Sequence, residues 1–343
     1  MIRTSLFLLL ATGLALTQHH RLKAEWKAWA KEINGVANRT WTARVAKEIN
    51  FEDEAVLRSM IGASLSPNAN NSLVKNFRPS GRLLQAFPEA FDLRAAYPAC
   101  ESLTFVRNQF SCGACWAFST MNSLSDRTCI KTYGQRTRVQ RSWSMQDLLE
   151  SCDQETCGIA PTQGCNGGFL DGAFNYAMKT GVCTGEQADD TKGCKPFFLS
   201  KFDFTLPASP LPRFFCTNLA FKGTYFTDRM KIRGIKSYSN QFMKTNDLVL
   251  AIQDALMKRG TLVAFLRVYE DIYLYSSGIY MTNGVNMLGA HAVRLIGWGV
   301  ENDVKYWLLA NSWGQWWGEK GFFRIVRGVN NSGIEEYIIE GVI

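Results

Sequence analysis

A chain of 343 residues with 46% hydrophobic and 13% aromatic content can bury a large core, which excludes an intrinsically disordered protein. The net charge of +8 comes mainly from the first 86 residues, because residues 87–343 hold 26 Lys and Arg against 24 Asp and Glu, a net of +2. The sequence has no long basic run and no basic stretch interleaved with aromatic residues, so it favours a solvated surface over nucleic-acid binding.

The first 17 residues are typical of a signal peptide. A charged start at Arg3 is followed by apolar residues 6–10 and by small residues up to Ala15. The apolar run stops at Leu16, short of the roughly 20 residues that span a bilayer. We therefore expect residues 1–17 to be cleaved off, rather than to serve as a membrane anchor, and no membrane span to remain afterwards.

Cysteine usage indicates the secretory pathway. Ten cysteines behind a secretory signal imply an oxidising compartment in which most of them are bridged. Sequons at Asn38, Asn70 and Asn330 would accept N-glycans on the same route. The final compartment, an acidic lysosome-like one or the extracellular space, stays open at this point.

Residues 18–86 are predicted to form a pro-segment. Their first part is charged and aromatic at helical spacing, with Leu22, Trp26, Trp29 and Ala30 along one side. Residues 64–82 then have the Ser, Pro, Asn, Gly and basic composition of an exposed linker that peptidases can reach. A segment of about 70 residues forms a poor core unaided, which argues against a small independent domain.

The remainder of the chain changes from helical to strand-like signals. In residues 112–181, Phe118, Met121 and Leu124 lie near one helical face, Ser144 with Asp147 resembles a capping box, and Gly181 is a helix stop. From residue 231 onward, one helix at residues 246–259 interrupts strand-like runs at 262–268, 291–298, 306–310 and 322–326. The predicted fold class is α+β, with a helical lobe facing an antiparallel, barrel-like sheet lobe across a cleft where substrates bind.

Residues 109–118 read QFSCGACWAF, and here the chain resembles the papain family of cysteine peptidases around its nucleophile. Cys115 opens a predicted helix, whose unpaired N–H groups and positive dipole end favour the reactive thiolate. His291 is the one histidine in residues 87–343, so a Cys–His enzyme has no other base, and its surroundings GAHAV match the histidine segment of the family.

Residues 306–314 read YWLLANSWG and resemble the third element of the family. The resemblance implies that Asn311 accepts a hydrogen bond from the imidazole and that Trp313 shields this bond from water. The order Cys, His, Asn, with gaps of about 175 and 20 residues, is similar to that of the family.

Two further elements of the resemblance concern substrate binding. Gln109 matches the glutamine whose side-chain N–H binds the oxyanion, with the backbone N–H of Cys115 as the second donor. Residues 165–168 read CNGG and resemble the wall where Gly167 and Gly168 let the backbone pair with an extended peptide. Phe110 stands where the family usually has glycine, and we expect its bulk to tilt Gln109 or to narrow the cleft.

Within the family, the chain resembles the cathepsin B branch at residues 38–41, 295–302 and 333–335. Residues 87–92 read FPEAFD and match the start of the mature branch members, which places processing within a few residues of Ala86 and the peptidase domain at 87–343. The same resemblance implies four disulfides and leaves Cys183 without a partner cysteine. Each disulfide stabilises the folded state by a few kcal/mol through loop closure. The implied pairs are Cys100–Cys129, Cys112–Cys165, Cys152–Cys157 and Cys194–Cys216.

The segment between Cys194 and Cys216 departs from the branch. Cathepsin B has an occluding loop there, with two histidines that hold the C-terminal carboxylate of a substrate, and this segment has no histidine. We therefore expect endopeptidase action, with reduced or absent dipeptidyl-carboxypeptidase activity, unless Lys195, Lys201 or Arg213 takes over the charge-assisted hydrogen bonds.

The pocket for the residue before the scissile one also departs from the branch. Tyr337 stands where cathepsin B has an acid at the pocket floor. Together with Leu170, Phe265 and Ala292 it indicates an apolar, partly filled pocket, in which a basic side chain would lack its partner.

Other function classes stay open. Residues 112–115 read CGAC, which also occurs in thiol–disulfide oxidoreductases, although no small βαβ context surrounds it. One histidine and bridged cysteines leave few zinc ligands, so we expect neither metal nor cofactor. A papain-fold binding protein with impaired catalysis is the stronger rival, because of Phe110 and of Ala290 before the histidine.

The resemblance also implies partners and regulation. Protein and peptide substrates, the chain's own pro-segment as inhibitor, and cystatin-like inhibitors are the partners expected. We hypothesise that the pro-segment blocks the cleft until it is cleaved. Low pH would weaken its contact by neutralising the carboxylates of Glu25, Glu32, Glu48 and Asp53.

Overall fold

The computed structural model describes residues 23–51, 53–65, 74–77, 87–135, 141–157, 164–186, 192–197, 214–284 and 286–343. The predicted signal peptide, most of the predicted linker, Leu22, Asn70, Ala86, Lys201 and Arg213 lie outside these residues. Within them, no helix is long and apolar enough to cross a membrane.

The helices begin and end where the local sequence chemistry predicts. The side chain of Ser144 caps its helix by accepting the N–H of Asp147 at 3.0 Å. Gly260, with a φ of 92°, ends another helix in a conformation that glycine adopts without strain. The helices are α1 Lys23–Gly35, α2 Glu54–Ser59, α3 Leu93–Ala96, α4 Cys115–Lys131, α5 Met145–Ser151, α6 Gln154–Cys157, α7 Leu170–Lys179, α8 Tyr225–Asp228 and α9 Thr245–Arg259.

The strands form one large sheet and one small pair. The strands are β1 Trp41–Ala43, β2 Ala63–Ser64, β3 Val74–Asn76, β4 Phe91–Asp92, β5 Gly168–Phe169, β6 Gly234–Tyr238, β7 Leu262–Tyr269, β8 Tyr275–Tyr280, β9 Met287–Glu301, β10 Val304–Ala310, β11 Phe322–Val326 and β12 Ile338–Val342. The large sheet has the order β1-β8-β11-β10-β9-β7-β12-β6-β3, with β4 also paired to β9. Most pairs are antiparallel, as predicted, but β8 with β11 and β3 with β6 are parallel.

The helical lobe is built around α4, which is buried along most of its length. Phe118, Met121 and Leu124 pack with apolar residues of α5 and α7, and this core continues to Phe265 on the sheet lobe. Burial on several sides explains why α4 has apolar and small residues all around it, and not along a single stripe.

The residues before Phe87 pack on both lobes. Strand β1 pairs with β8 at one edge of the large sheet, β3 pairs with β6 at the other edge, and β2 pairs with β5 on the helical lobe. Trp26 and Ala30 of α1, with Leu57 of α2, belong to the same core as the sheet lobe. This leader therefore obtains its core by docking, in keeping with its small size.

Disulfides join the loops around the helical lobe. The bridges are Cys100–Cys129, Cys112–Cys165, Cys152–Cys157 and Cys194–Cys216, the four pairs that the resemblance implied. Cys115 and Cys183 are free and buried. Because Cys112 is bridged to Cys165, it does not form a dithiol with Cys115.

Candidate active site

Cys115 is the first residue of α4 and lies at the junction of the two lobes. No side chain caps this helix, so the N–H groups of its first turn have no side-chain acceptor. The loop before it is held by the Cys112–Cys165 bridge and by a hydrogen bond from Gly113 N to Cys165 O, at 2.6 Å. The sulfur is thus presented by a rigid helix start and is not bridged.

His291 lies on β9, where it is paired in register with Leu266 of β7. Its Nε2 donates to Asn311 Oδ1 at 2.7 Å, and the same oxygen accepts the backbone N–H of Ser312 at 2.8 Å. The Trp313 ring lies 4.8 Å from the imidazole centroid to centroid and covers this bond. The other ring nitrogen, Nδ1, is buried without a hydrogen-bond partner.

Burial determines the protonation of this cysteine and histidine. It raises the pKa of Cys115 to about 12, although backbone N–H groups, those of Ala292 and Gly62 foremost, act in the opposite direction. Burial also lowers the pKa of His291 to about 4, against the opposing effect of its bond to Asn311. With the leader in place, both side chains are therefore neutral across the physiological pH range.

Gln109 is buried and held on every side. Its backbone N–H donates to Ser312 O at 2.8 Å, and its Oε1 accepts the Ser312 hydroxyl at 2.5 Å. Its Nε2 donates to Cys112 O at 2.7 Å and to Met60 O of the leader at 3.1 Å. The amide N–H thus points at a carbonyl oxygen that the leader supplies.

The leader crosses the cleft at residues 60–64. Met60 O accepts a second hydrogen bond, from Trp313 Nε1 at 3.0 Å. Two residues later, Gly62 N donates to Ala290 O at 3.1 Å, and Gly62 O accepts the N–H of Gly168 at 2.9 Å. Gly62 therefore joins the sheet lobe to the glycine wall of the helical lobe.

The predicted pocket residues lie together. Leu170, Phe265 and Ala292 are buried in one core cluster with leader residue Ala63, and Tyr337 packs against that cluster. Burial, followed by the negative charge of Asp171, raises the pKa of the Tyr337 phenol above its usual range, so the ring is neutral. Leader residue Ala63, which pairs with Gly168, thus belongs to the same apolar cluster as the side chains that were predicted to receive a substrate side chain.

The suggestion that Lys195 takes over the role of the missing histidines is wrong. Its side chain is fully buried and forms ion pairs with Asp147 at 2.9 Å and Glu150 at 3.2 Å. The Asp147 carboxylate also accepts the Tyr225 hydroxyl. The predicted capping box is therefore half formed, because this carboxylate serves the buried network and the backbone N–H of Ser144 donates to Cys183 O. Lys195 cannot reach a substrate without leaving two carboxylates unpaired.

One group of potential metal ligands occurs among the residues that the structure describes. Atoms of Cys183, Cys194 and Asp228 lie within 4.8 Å of one another. Cys194 is bridged to Cys216, so its sulfur is not a thiolate ligand. Burial raises the pKa of Cys183 well above the usual range, with the charge of Asp147 adding to the shift, which keeps this residue a thiol.

Sequence reasoning missed the leader residues that occupy the cleft. Gly62 stands between Ile61 and Ala63, and a glycine inside an apolar stretch can signal a close backbone approach. A Cβ at Gly62 would lie 2.9 Å from the carbonyl carbon of Gly113 and closer still to its oxygen. Met60 and Ser312 carried no comparable signal, because their roles come from main-chain and hydroxyl contacts.

Comparisons with known proteins agree with this geometry. Residues 87–342 match the family described as papain family cysteine protease. Cathepsin B-like cysteine proteinase 6 of Caenorhabditis elegans is 39% identical over 267 residues, which cover 74% of this chain and 66% of that protein. Cathepsin B-like cysteine proteinase 4 of the same organism is 34% identical over 316 residues, 88% of either chain.

Solved precursor structures are similar as well. The structure of proCathepsin B S9 from Trypanosoma congolense has a TM-score of 0.74 at 26% identity, over 92% of this chain and 97% of that one. Digestive procathepsin L 3 of Tenebrio molitor has a TM-score of 0.66 at 21% identity, over 93% and 90% of the two chains. The second likeness concerns the fold alone.

Proposed function

Because this chain belongs to the papain family of cysteine proteases, with cathepsin B-like relatives, we propose that it is the precursor of a cysteine endopeptidase in which Cys115 is the nucleophile and His291 its proton partner. The family, the α+β fold class and the enzyme class expected from the sequence are confirmed. The observation that carries the proposal is a leader carbonyl, Met60 O, bound by the Gln109 amide beside an unbridged Cys115.

The proposed reaction begins once the leader has left. Water then reaches the sulfur and the imidazole, the desolvation that holds both neutral is relieved, and a thiolate and an imidazolium form. The thiolate of Cys115 attacks the scissile carbonyl, and His291 donates its proton to the departing amine. Water then hydrolyses the acyl-enzyme, with His291 accepting the proton of that water and the thiolate leaving.

Two neighbouring residues stabilise this reaction in the proposal. Asn311 accepts from His291 Nε2, which leaves Nδ1 for the proton exchanged with the sulfur and the leaving amine. The side-chain N–H of Gln109 and the backbone N–H of Cys115 bind the oxyanion. Losing one such donor typically slows turnover by about 100- to 1000-fold.

The direction of the leader in the cleft supports its role as an inhibitor. A substrate presents its pocket residue before the carbonyl that meets the oxyanion donors. In the leader, Ala63 pairs with Gly168 and shares the apolar cluster of the pocket residues, but it follows Met60, whose carbonyl meets Gln109. The leader therefore runs opposite to a substrate and does not present its own peptide bonds for attack. We propose residues 18–86 as this inhibitory segment and 87–343 as the mature domain.

Titration of the Cys115–His291 pair does not account for a release of the leader at acid pH. A neutral thiol with a neutral imidazole holds the same number of protons as a thiolate with an imidazolium, so their interconversion binds no proton. Glu54 and Arg58 form an ion pair within α2 at 2.6 Å, and the same guanidinium donates to Leu288 O at 2.8 Å, so this pair holds a side chain that links the leader to the sheet lobe. Asp53 caps α2 within the leader, with its carboxylate accepting the Ala55 N–H at 2.9 Å.

We propose endopeptidase action with little dipeptidyl-carboxypeptidase activity. The segment between Cys194 and Cys216 has no histidine, and Lys195 is engaged in the buried ion pairs. A pair of fluorogenic peptides that differ only in a free or amidated C-terminus tests this. Equal cleavage of the two is expected, and a strong preference for the free carboxylate would refute it.

We propose that the pocket of Leu170, Phe265, Ala292 and Tyr337 selects apolar side chains. Leader residue Ala63 belongs to the same buried apolar cluster as the first three of these side chains, which supports a site that accepts small or apolar groups. Peptides with Phe or Arg at the residue before the scissile one measure the preference. Faster cleavage of the Arg peptide would contradict the proposal.

The test of the catalytic assignment uses both free cysteines. After acid processing, a thiol-reactive peptidyl epoxide should label the wild-type enzyme once per molecule and abolish its activity. Cys115→Ala should remove labelling and activity, whereas Cys183→Ala, the matched control, should keep both. Processed wild-type enzyme that binds peptides but neither hydrolyses them nor reacts with the epoxide would instead identify a catalytically impaired binding protein.

We also propose that the protein follows the secretory pathway to an acidic lysosome-like compartment or to the outside of the cell. Signal cleavage after residue 17 and glycans on the sequons would accompany this route. The Asn38 side chain is exposed, whereas Asn330 Oδ1 accepts the Glu335 N–H at 3.0 Å. Endoglycosidase treatment of secreted protein should therefore remove mass from the leader, and an unglycosylated leader would count against this route.

A further inference from the structure

Phe110 holds a backbone conformation that is unusual for its side chain. Its φ is 53°, in the left-handed region, where a residue with a Cβ is strained and glycine is not. The expectation from the sequence concerned the bulk of this side chain, which in fact packs against the apolar core of the helical lobe. The backbone at Phe110 needs a compensating contact in order to stay left-handed.

Asn108 provides such a contact. Its Oδ1 accepts the backbone N–H of Phe110 at 2.8 Å, a side-chain bond that closes a turn over the residue between them. The residue between them is Gln109. On the other side of this turn, Asn108 pairs with Trp313 in an isolated antiparallel bridge, so the turn is anchored to the sheet lobe.

The Gln109 side chain depends on this turn for its direction. Its Nε2 donates to Cys112 O at 2.7 Å, two residues beyond the strained position. If Phe110 relaxed to a negative φ, the peptide after Gln109 would rotate, and the segment leading to Cys112 would shift with it. The amide N–H would then no longer lie where Met60 O now accepts it.

We propose that Asn108 is a positioning residue for catalysis: its side chain holds Phe110 in the left-handed conformation and thereby aims the Gln109 amide at the oxyanion. This inference rests on the proposed function, because it concerns the oxyanion donor. The Asn108 side chain is needed because residue 110 is not glycine. Replacing Asn108 should therefore not lower kcat once residue 110 is glycine.

A double-mutant cycle on the full-length precursor tests this coupling. The variants are Asn108→Ala, Asn108→Asp, Phe110→Gly, the double variant Asn108→Ala with Phe110→Gly, and Gln109→Ala. Each is expressed as precursor, processed at acid pH and titrated with a peptidyl epoxide, so that kcat is expressed per active site. Thermal unfolding of each precursor reports effects on the fold.

We expect Asn108→Ala to lower kcat about 10-fold with KM nearly unchanged, because the strained conformer loses its support while substrate contacts remain. Asn108→Asp keeps the acceptor oxygen and should restore kcat to within about twofold. In the Phe110→Gly background, which should be at least as active as wild type, Asn108→Ala should change kcat by less than about threefold. If Asn108→Ala alone fails to fold, two comparisons of kcat still test the inference: Asn108→Asp against wild type, and Phe110→Gly against the double variant.

If Asn108→Ala lowered kcat equally in the wild-type and Phe110→Gly backgrounds, the inference would be overturned. An effect of Asn108→Ala on KM alone, or an Asn108→Asp variant with kcat as low as that of Asn108→Ala, would overturn it as well. Gln109→Ala separates this failure from failure of the proposed function. Its kcat should fall by about 100-fold or more if the amide binds the oxyanion. Undiminished kcat in Gln109→Ala would remove the oxyanion role itself and with it the role of Asn108.

Discussion

Gly62 is the position where one added methyl group should open the precursor. A Cβ there would lie 2.9 Å from the carbonyl carbon and Cα of Gly113, and closer still to the carbonyl oxygen, all of them backbone atoms at the floor of the cleft. Cβ contacts below about 3.0 Å are not tolerated in close-packed interiors, so the leader must move away. Gly62→Ala therefore tests whether the leader packs as closely against Gly113 as the structure shows.

The magnitude follows from the bonds that this movement breaks. Gly62 N donates to Ala290 O at 3.1 Å, and Gly62 O accepts from Gly168 N at 2.9 Å, so one residue links both lobes. Each bond contributes about 0.5–1.5 kcal/mol, and both would lengthen or break. A total of about 1–3 kcal/mol corresponds to a roughly 5- to 150-fold larger population of precursor with an open cleft.

The assay is the rate at which a peptidyl epoxide labels Cys115 in intact precursor at neutral pH, before processing begins. When opening is fast, this rate follows the open population, so Gly62→Ala should raise it by the same roughly 5- to 150-fold. Gly35→Ala, at the end of α1, is the matched control, because its Cβ would meet nothing within 4 Å. Labelling of the Gly62→Ala precursor at the wild-type rate, or equal acceleration by Gly35→Ala, would show that Gly62 does not hold the leader closed.

Three further predictions follow from the charges and pKa values. Ultraviolet difference absorbance against Cys115→Ala should show no Cys115 thiolate in the intact precursor between pH 6 and 8, because burial raises the pKa of this thiol to about 12, whereas processed enzyme should show one; a thiolate signal from the intact precursor would contradict the neutral pair. Tyr337→Glu should raise cleavage of an Arg-containing peptide over its Phe counterpart by about 10-fold, and an unchanged ratio would remove Tyr337 from the pocket. Lys195→Met should destabilise the protein by about 3–5 kcal/mol in denaturant unfolding, because two buried carboxylates lose their cation. Lys258→Met, which removes an exposed lysine from an Asp254 that keeps Arg259 nearby, should cost about 0.5 kcal/mol, and similar losses in the two variants would argue against the buried network.

Helix and strand placement was largely predictable because the signals for it are local. The helix at residues 246–259 was expected to end before Gly260, and α9 does so because glycine alone adopts that φ freely. Strand β11 has the predicted bounds of residues 322–326, a β-branched and aromatic run between turns. Strand β9 is longer than predicted, at Met287–Glu301, because pairing with β7 and β10 recruits residues 287–290 and 299–301, whose own propensity is low.

The family, the two-lobed fold class and the candidate nucleophile could be predicted from the amino-acid sequence, because the segments around Cys115, His291 and Asn311 are short and their chemistry can be recognised in order along the chain. The carbonyl that meets Gln109, the burial of Lys195 and the neutral state of the cysteine and histidine under the leader became known from the folded molecule. These properties arise from contacts between residues far apart in sequence and from the exclusion of water at their meeting point, and desolvation belongs to the packed molecule, not to any stretch of its sequence.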